Sequence, residues 1–460
     1  MLESSASPTS SRATPRAALA ALGVKLRDLD LFGPIRARVQ VPQKTVLYTP
    51  IDKLYDCFIG ILAGAKGIAD INRVLRADPA LQAAFGRDAC AEQSTIQDTL
   101  DACTPTAVSQ METAVAELFR RHSRAARHDF AQGSLLLDVD LTGNPCGKKA
   151  ACAMRGYFPG QKNRRGRQLG RVLATAYQEI VVDRLFPGNT NLLQALAPIV
   201  LAAEEALSLT EEQRARTLVR LDAGGGSVDA VNWLLSRGYM VLCKDYSTSR
   251  ARNLARRVTT WYPDPKEEGR EVGWVEEATS AYVRPVRRLS VRHRKPNGQF
   301  GVEVLITTAP MAELFRWTRM PATQIGEAQA ELLAIAHSYD QRGGGCETSF
   351  QGDKQGLGMG KRNKKRFEAQ QMVVQLGALA HNVLIWAKEW LLPKVPRLEK
   401  YGIKRLVRDV MEILGRVEWE RQQRVRRILL TETNPLSRQV LPGFQQMIAK
   451  TGVVVVLGPP

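Results

Sequence analysis

No apolar run in this 460-residue chain approaches the ~20 residues a membrane-spanning helix needs. GVVVVLG near the C-terminus is far too short and reads as a strand. The first residues include Glu3 and lack an apolar stretch, so no secretory signal is expected there. Seven cysteines (Cys57, Cys90, Cys103, Cys146, Cys152, Cys243, Cys346) form no C-x-x-C pair, and their number is odd. That pattern excludes a disulfide framework and predicts reduced thiols in a cytosol-like compartment. Cys146 and Cys152 have no His or Cys nearby to complete the four N or S ligands of structural zinc. Only five histidines occur, scattered along the chain, and His337 and His381 read as helix packing. AGGGS (223–227) lacks the Lys-Ser/Thr of a phosphate-cradling loop, which argues against nucleotide binding. No internal repeat is evident.

What is present is positive charge. Sixty-five Lys and Arg against 46 Asp and Glu give a net charge of +19. A surplus of that size favours a polyanionic partner, the alternative being a basic proteome background. The hydrophobic fraction of 44% suits a chain that buries a real core, and the length calls for more than one compact unit.

Composition and periodicity divide the chain. Residues 1–28, rich in Ser, Pro, Thr and Ala, are expected to be a disordered tail. Residues 29–128 show helical spacing, with LYDCFIGILAGAKGIADINRVL and AVSQMETAVAELFRRHSRAA as the clearest stretches. This block is either a DNA-end-binding region or an ordinary helical subdomain. From 129 to 245 the period changes: LLLDVDL, GRVLATAYQEIVVDRL, TLVRLD and YMVLCKD read as strands alternating with helices. The order three strands, helix, strand, helix, strand predicts an α/β fold, the front of an RNase H-like mixed sheet flanked by helices. Residues 246–325 alternate like an antiparallel meander and form a β-rich insertion. Residues 326–392 return to helix, and 393–460 form a mixed C-terminal region.

Three acidic residues stand out. Asp140 closes LLLDVDL, Asp222 closes TLVRLD, and Glu347 opens the segment after the glycines in YDQRGGGCETSFQGDK. Carboxylates converging at a sheet edge repel one another and require cations. Oxygen ligands of this kind suit Mg²⁺ or Mn²⁺ rather than zinc. Two such ions, about 3.5–4 Å apart, would clamp the attacking and leaving oxygens of a phosphodiester. Asp138 faces the same side of its strand as Asp140, but Asp140 lies nearer the strand's end. Asp183, Asp229, Asp245 and Asp353 read as caps, turns or surface charges. On a helix, Glu347, Phe350, Gln351 and Lys354 would share one face. Tyr339 and Arg342 could reach a phosphate backbone with a hydroxyl and a guanidinium fork.

These residues resemble the DDE transposases of bacterial insertion sequences, in their Y-R-E-K branch. The carriers are D-x-T at Asp140–Thr142, LDAGGGS followed by WLLSRGYMVLCK, and Y-x2-R, Glu and x6-K from Tyr339 to Lys354. Four residues separate Arg342 from Glu347, where that branch has three. The resemblance implies an RNase H-like catalytic domain interrupted by the β-rich insertion. It makes Asp140, Asp222 and Glu347 the catalytic residues and metal ligands, with two Mg²⁺ ions that Mn²⁺ can replace. It further implies cleavage of double-stranded DNA at terminal inverted repeats, strand transfer into target DNA, a homodimer on DNA, no membrane association, and a cytoplasmic, nucleoid-associated bacterial location. An RNase H-like nuclease without strand transfer is the alternative, as is a domesticated DNA-binding protein with an idle site.

Basic clusters mark DNA tracks or solvated faces: Arg164, Arg165 and Arg167; Arg284, Arg287, Arg288, Arg292, Arg294 and Lys295; and Lys361, Arg362, Lys364, Lys365 and Arg366. The last cluster, with Tyr339, Arg342 and Lys354, is the expected DNA-contacting set. Trp261, Trp274 and Trp317 in the insertion either stack on an unpaired base or pack a small β-core.

Overall fold

LLLDVDL and TLVRLD, the apolar runs that end in aspartates, lie side by side as parallel strands in a computed structural model of the chain. The structure describes residues 10–161, 163–276, 281–295, 297–319 and 326–459. In chain order the strands are β1 (Ser10–Thr14), β2 (Leu135–Pro145), β3 (Met154–Arg155), β4 (Arg165–Ala174), β5 (Glu179–Pro187), β6 (Thr217–Leu221) and β7 (Met240–Lys244). They continue with β8 (Tyr262–Pro263), β9 (Arg270–Trp274), β10 (Arg287–Arg294), β11 (Phe300–Thr307), β12 (Gly415–Glu420), β13 (Arg424–Thr431) and β14 (Val454–Gly458). Two compact units result, one of residues 1–123, 144–153 and 350–460, the other of 124–143 and 154–349.

The second unit is built on the long sheet. β2, β6 and β7 run parallel, and β4 and then β5 lie beyond β2. The order β5-β4-β2-β6-β7 is that of an RNase H-like sheet. Parallel neighbours need crossovers, and the helices Leu192–Leu207 and Val228–Ser236 supply them. Asn191 starts the first crossover by accepting the Gln194 amide, while Gln194 caps the Asn191 amide in return. The residues of the expected insertion form the antiparallel meander β8 to β11, which is continuous with the main sheet. β11 pairs antiparallel with β7, so β11, β10, β9 and β8 extend the same sheet. Helix Glu327–Asp340 lays Leu332, Leu333 and Ile335 on a core that includes Leu218, Leu242, Val291 and Leu305. Each such side chain contributes about 1.5–3 kcal/mol when fully buried.

The first unit is mainly helical. Helix Phe367–Leu391 is buried along most of its length and packs against Pro50–Leu62, Gln93–Asp101, Pro105–His122 and Pro435–Ile448. A small sheet of order β1-β12-β13-β14 completes it. Residues 10–28 therefore correct the expectation of a disordered tail. β1 pairs with β12, and helix Ala17–Asp28 buries Ala17 to Leu22 completely. The Ala-rich composition that reads as low complexity is what lets this helix pack closely. Residues 1–9 of the expected tail lie outside the described residues. GVVVVLG forms β14, parallel to β13. All seven cysteines are free thiols. Among the described residues no helix is long and apolar enough to cross a membrane.

Candidate active site

The ladder between β2 and β6 pairs Leu135 with Thr217 and ends with Val139 beside Leu221. One step further the same register sets Asp140 beside Asp222, where β2 emerges from the core and β6 gives way to a glycine turn. Gly226 in that turn lies so close to β7 that a Cβ would stand 1.8 Å from the Lys244 carbonyl oxygen. The LDAGGGS glycines thus serve a tight strand exit rather than a phosphate cradle. Burial pushes the Asp140 carboxyl up to about 6; the Arg342 guanidinium pulls against this, and the neighbouring Asp222 charge adds to it. Arg342 Nη1 donates to Asp140 Oδ2 at 3.2 Å. The Tyr339 ring lies 5.9 Å from the same guanidinium, and burial raises its phenol pKa. The Asp222 Oδ1 atom is buried without a hydrogen-bond partner.

Beneath this pair the strands carry a second, opposite pair. Asp138 lies beside Arg220 in the ladder, and Arg220 Nε and Nη2 donate to the two carboxylate oxygens at 2.6 and 2.8 Å. Both side chains are 1% exposed, and Arg220 Nη1 also donates to the Ser338 carbonyl. Asp138 is thereby committed to a structural ion pair, which leaves Asp140 as the available carboxylate of β2. The glycine run closes over it. Residues Gln341–Gly344 make a 3₁₀ turn, and a Cβ at Gly345 would stand 1.9 Å from Asp138 Oδ2.

Helix Cys346–Gly356 then begins with the buried Cys346 thiol donating to the Asp138 carbonyl at 3.4 Å. The next residue on a helix points about 100° away, and Glu347 is exposed. The helix is tied to the sheet by Ser349, whose Oγ accepts from Arg171 Nη1 at 2.6 Å. Arg171 in turn makes a buried two-pronged ion pair with Asp183 across β4 and β5, at 2.8 and 2.6 Å.

The structure therefore brings together Asp140, Asp222, Arg342 and Tyr339, and leaves Glu347 apart. Among the described residues no group of three or more His, Cys, Asp or Glu side chains stands ready to hold a metal. The two aspartates fit a hard divalent cation in donor chemistry, and the unpartnered Asp222 oxygen is an acceptor that such a cation would satisfy. The expected three-carboxylate set is not assembled, because Cys346 takes the inward position at the start of the helix.

The family model described as transposase DDE domain, group 1, matches residues 36–450. The chain belongs to that transposase family. Among solved structures, it is similar to the piggyBac transposase in a cryo-EM synaptic complex with hairpin DNA. That likeness has a TM-score of 0.46 and 12% identity, covering 86% of this chain and 79% of the other. No curated protein matches.

The remaining site candidates of this transposase-family chain divide by burial. Lys354 is exposed on the glutamate helix together with Glu347 and Gln351, whereas Phe350 is buried rather than sharing their face. Lys361, Lys365 and Arg366 are exposed. Arg362 and Lys364 correct the expected DNA-contacting set, being 3% and 7% exposed. Lys364 Nζ donates to Gln97 Oε1 at 2.7 Å, and burial lowers its pKa. Arg362 has Nε and Nη1 buried without partners, and burial brings its pKa down to about 10.

Of the other basic clusters, Arg167 and Arg288 are also buried. Arg292 lies 4.1 Å from the Trp261 ring centroid and 4.5 Å from that of Phe300. Trp274 and Trp317 pack on the core.

Two carboxylates expected to be caps or surface charges are instead buried against basic side chains. Asp183 holds Arg171, and Asp353 lies 2.7 Å from His381 Nδ1. Asp229 does sit in a helix first turn, and Asp245 accepts the Ser247 amide while pairing with Arg250. His337 lies 2.9 Å from the buried Asp264. The Asp138–Arg220 pair had a visible signal: each apolar strand carries an opposite charge two residues before its terminal aspartate.

Proposed function

We propose that this chain is a DNA transposase that uses divalent metal ions to cut phosphodiester bonds at element ends and join the freed 3′-hydroxyl to target DNA. The observation that carries the reading is the Asp140–Asp222 pair, side by side past the ends of adjacent parallel strands in a chain matched by the family over 36–450. Asp140 and Asp222 would hold the metal, with Glu347 as the third ligand once it turns inward. When bound, Mg²⁺ or Mn²⁺ supplies charge neutralisation and an activated oxygen nucleophile. Arg342, now on Asp140, is within reach of the same space and would turn its fork to a phosphate when a cation takes the carboxylate. Tyr339 flanks it. Lys354, on the helix that carries Glu347, would contact the DNA backbone, as would Lys361, Lys365 and Arg366. The reading extends to a homodimer that pairs two terminal repeats in a bacterial cytoplasm.

The test uses full-length protein, DNA flanking its own coding region, and Mg²⁺. Asp140→Asn, Asp222→Asn and Glu347→Gln should each abolish nicking while retaining DNA binding. Titration of Mn²⁺, followed by its paramagnetic resonance, should show weakened binding in all three. Near-wild-type nicking by Glu347→Gln would remove that residue from the site. A wild-type chain that binds the ends but nicks nothing in either metal would favour the idle-site alternative.

A further inference from the structure

With Arg362, Lys364, Arg167 and Arg288 inside the protein, a set of exposed guanidiniums that lie close together is found on the small sheet of the first unit. β12 points Val417 and Trp419 inward, and β13 points Val425, Ile428 and Leu430 inward. The opposite face carries Arg416, Glu418 and Glu420 from β12, and Arg424, Arg426 and Arg427 from β13. Arg421 stands exposed in the turn between them.

A bulge makes this density possible. The register shifts between Glu418 and Trp419, so that Glu418 faces Arg427, Trp419 faces Val425, and Arg426 is the extra residue. Without it, simple alternation after Arg424 would send Arg427 to the core side. With it, Arg424, Arg426 and Arg427 are all exposed while Ile428 still enters the core.

Only two acids share the face. Glu420 accepts Arg426 Nε at 2.8 Å, and no carboxylate among the described residues reaches ion-pair distance of Arg416, Arg421, Arg424 or Arg427. A solvated face normally intersperses the two signs. The support is stiff as well: Arg27 Nη1 donates to the Gln423 carbonyl at 2.8 Å, and Gln423 Nε2 donates to Asp88 at 3.1 Å, pinning the turn.

We propose that this arginine face is a binding site for the phosphate backbone of duplex DNA, additional to the 361–366 segment; it rests on the reading that the chain acts on DNA. Arg416 on β12 and Arg427 on β13 stand diagonally across neighbouring strands about 4.8 Å apart, and with Arg424 and Arg426 they form a fixed array of phosphate donors. The array contains no base-reading group other than the arginines themselves, so the contacts position DNA without selecting its sequence.

The experiment compares the full chain with an Arg416→Gln/Arg424→Gln/Arg427→Gln variant, measuring binding to a duplex of arbitrary sequence by fluorescence anisotropy across a salt series. Three lost phosphate contacts should flatten the log–log salt slope by ~2.7. Between about 50 and 200 mM salt the wild type should then lose ~40-fold more affinity than the variant. A control with the same charge removed from cations already paired with Asp28, Asp30 and Asp70 (Lys25→Gln/Arg36→Gln/Arg73→Gln) should keep the wild-type slope. Equal slopes for wild type and the β12–β13 variant overturn the proposal while leaving the transposase reading intact. An equal drop in the control overturns it as well, by reducing the effect to net charge. A wild type that binds no duplex at all sinks both readings.

Discussion

Asp138 and Asp140 stand two residues apart on one strand, on the same side, yet their removal should change stability in opposite directions. Asp138 satisfies a guanidinium that is itself 1% exposed, through bonds of 2.6 and 2.8 Å. Asp138→Ala leaves that buried charge without its partner, a loss of about 3–5 kcal/mol. Replacing both members by apolar residues of similar volume, Asp138→Leu with Arg220→Met, should recover most of the loss, because it removes the stranded charge along with its partner. Asp138→Ala is therefore a destabilised protein and not an inert control for the neighbouring aspartate.

Asp140 carries the reverse balance. Its carboxyl is raised from 3.8 to about 6 by burial, with Asp222 adding to the rise and Arg342 opposing it. That rise corresponds to a cost of about 2–3 kcal/mol for keeping it ionised. Because the folded value is the raised one, the stability tied to its proton is fully present below pH 4 and lost as pH rises through 6. Asp140→Asn, in chelator, should accordingly stabilise the second unit by about 2 kcal/mol at pH 8 and by nothing near pH 4. Excess Mg²⁺ should reverse the order at pH 8, since only the wild type gains from cation binding. Hydrogen exchange of the 135–139 and 217–221 amides reads these changes without assuming that both units unfold together. Equal destabilisation by the two substitutions, or a gain in Asp140→Asn that persists at pH 4, would refute the assignment of one aspartate to structure and the other to a cation.

Three further outcomes follow from the same geometry. Arg362→Met should raise the stability of the first unit by about 1–3 kcal/mol, since it removes a buried charge with two unpartnered nitrogens; it should leave the salt dependence of DNA binding unchanged, which anisotropy would check. Arg171→Met should remove the two-pronged ion pair with Asp183 and release Ser349, so exchange in peptides covering 346–356 should accelerate and metal-dependent nicking should fall, even though Arg171 is not placed against DNA. Gly345→Ala should cost about 1–3 kcal/mol, because the added methyl meets Asp138 Oδ2 and the glycine turn must shift; unchanged thermal unfolding and activity would show that the turn is not tightly held.

What could be read from the sequence is what local pattern determines. Short apolar runs ending in aspartates, separated by helical segments, already imply parallel neighbours with their acidic ends at one sheet edge, and Asp140 and Asp222 lie there. The ion pair below them was readable too, since Asp138 and Arg220 occupy equal offsets before those aspartates. What stayed hidden depends on distant neighbours. Lys361 to Arg366 looks like one uniform basic run, yet its side chains go out, in, out, in, out, out, according to what Gln97 and Gln370 offer. The Ser- and Ala-rich start looks unfolded because its strand partner, β12, lies some four hundred positions away.

Glu347 depends on a similar non-local term. Its place on a helix was evident, but which way it faces follows from Cys346 docking on Asp138, a contact made across more than two hundred residues. The extra residue between Arg342 and Glu347 lies in the same glycine turn, and one step of rotation at the helix start is what separates an exposed Glu347 from one facing the aspartate pair. A single deletion in Gly343–Gly344, leaving three residues between Arg342 and Glu347, is thus the sharpest probe of that turn. If it draws Glu347 to Asp140 and Asp222, Mn²⁺ binding should tighten by about tenfold or more, as expected when a third carboxylate joins two. If affinity is unchanged while the chain stays folded, the rotation at Cys346 is fixed by Asp138 rather than by the length of the glycine run.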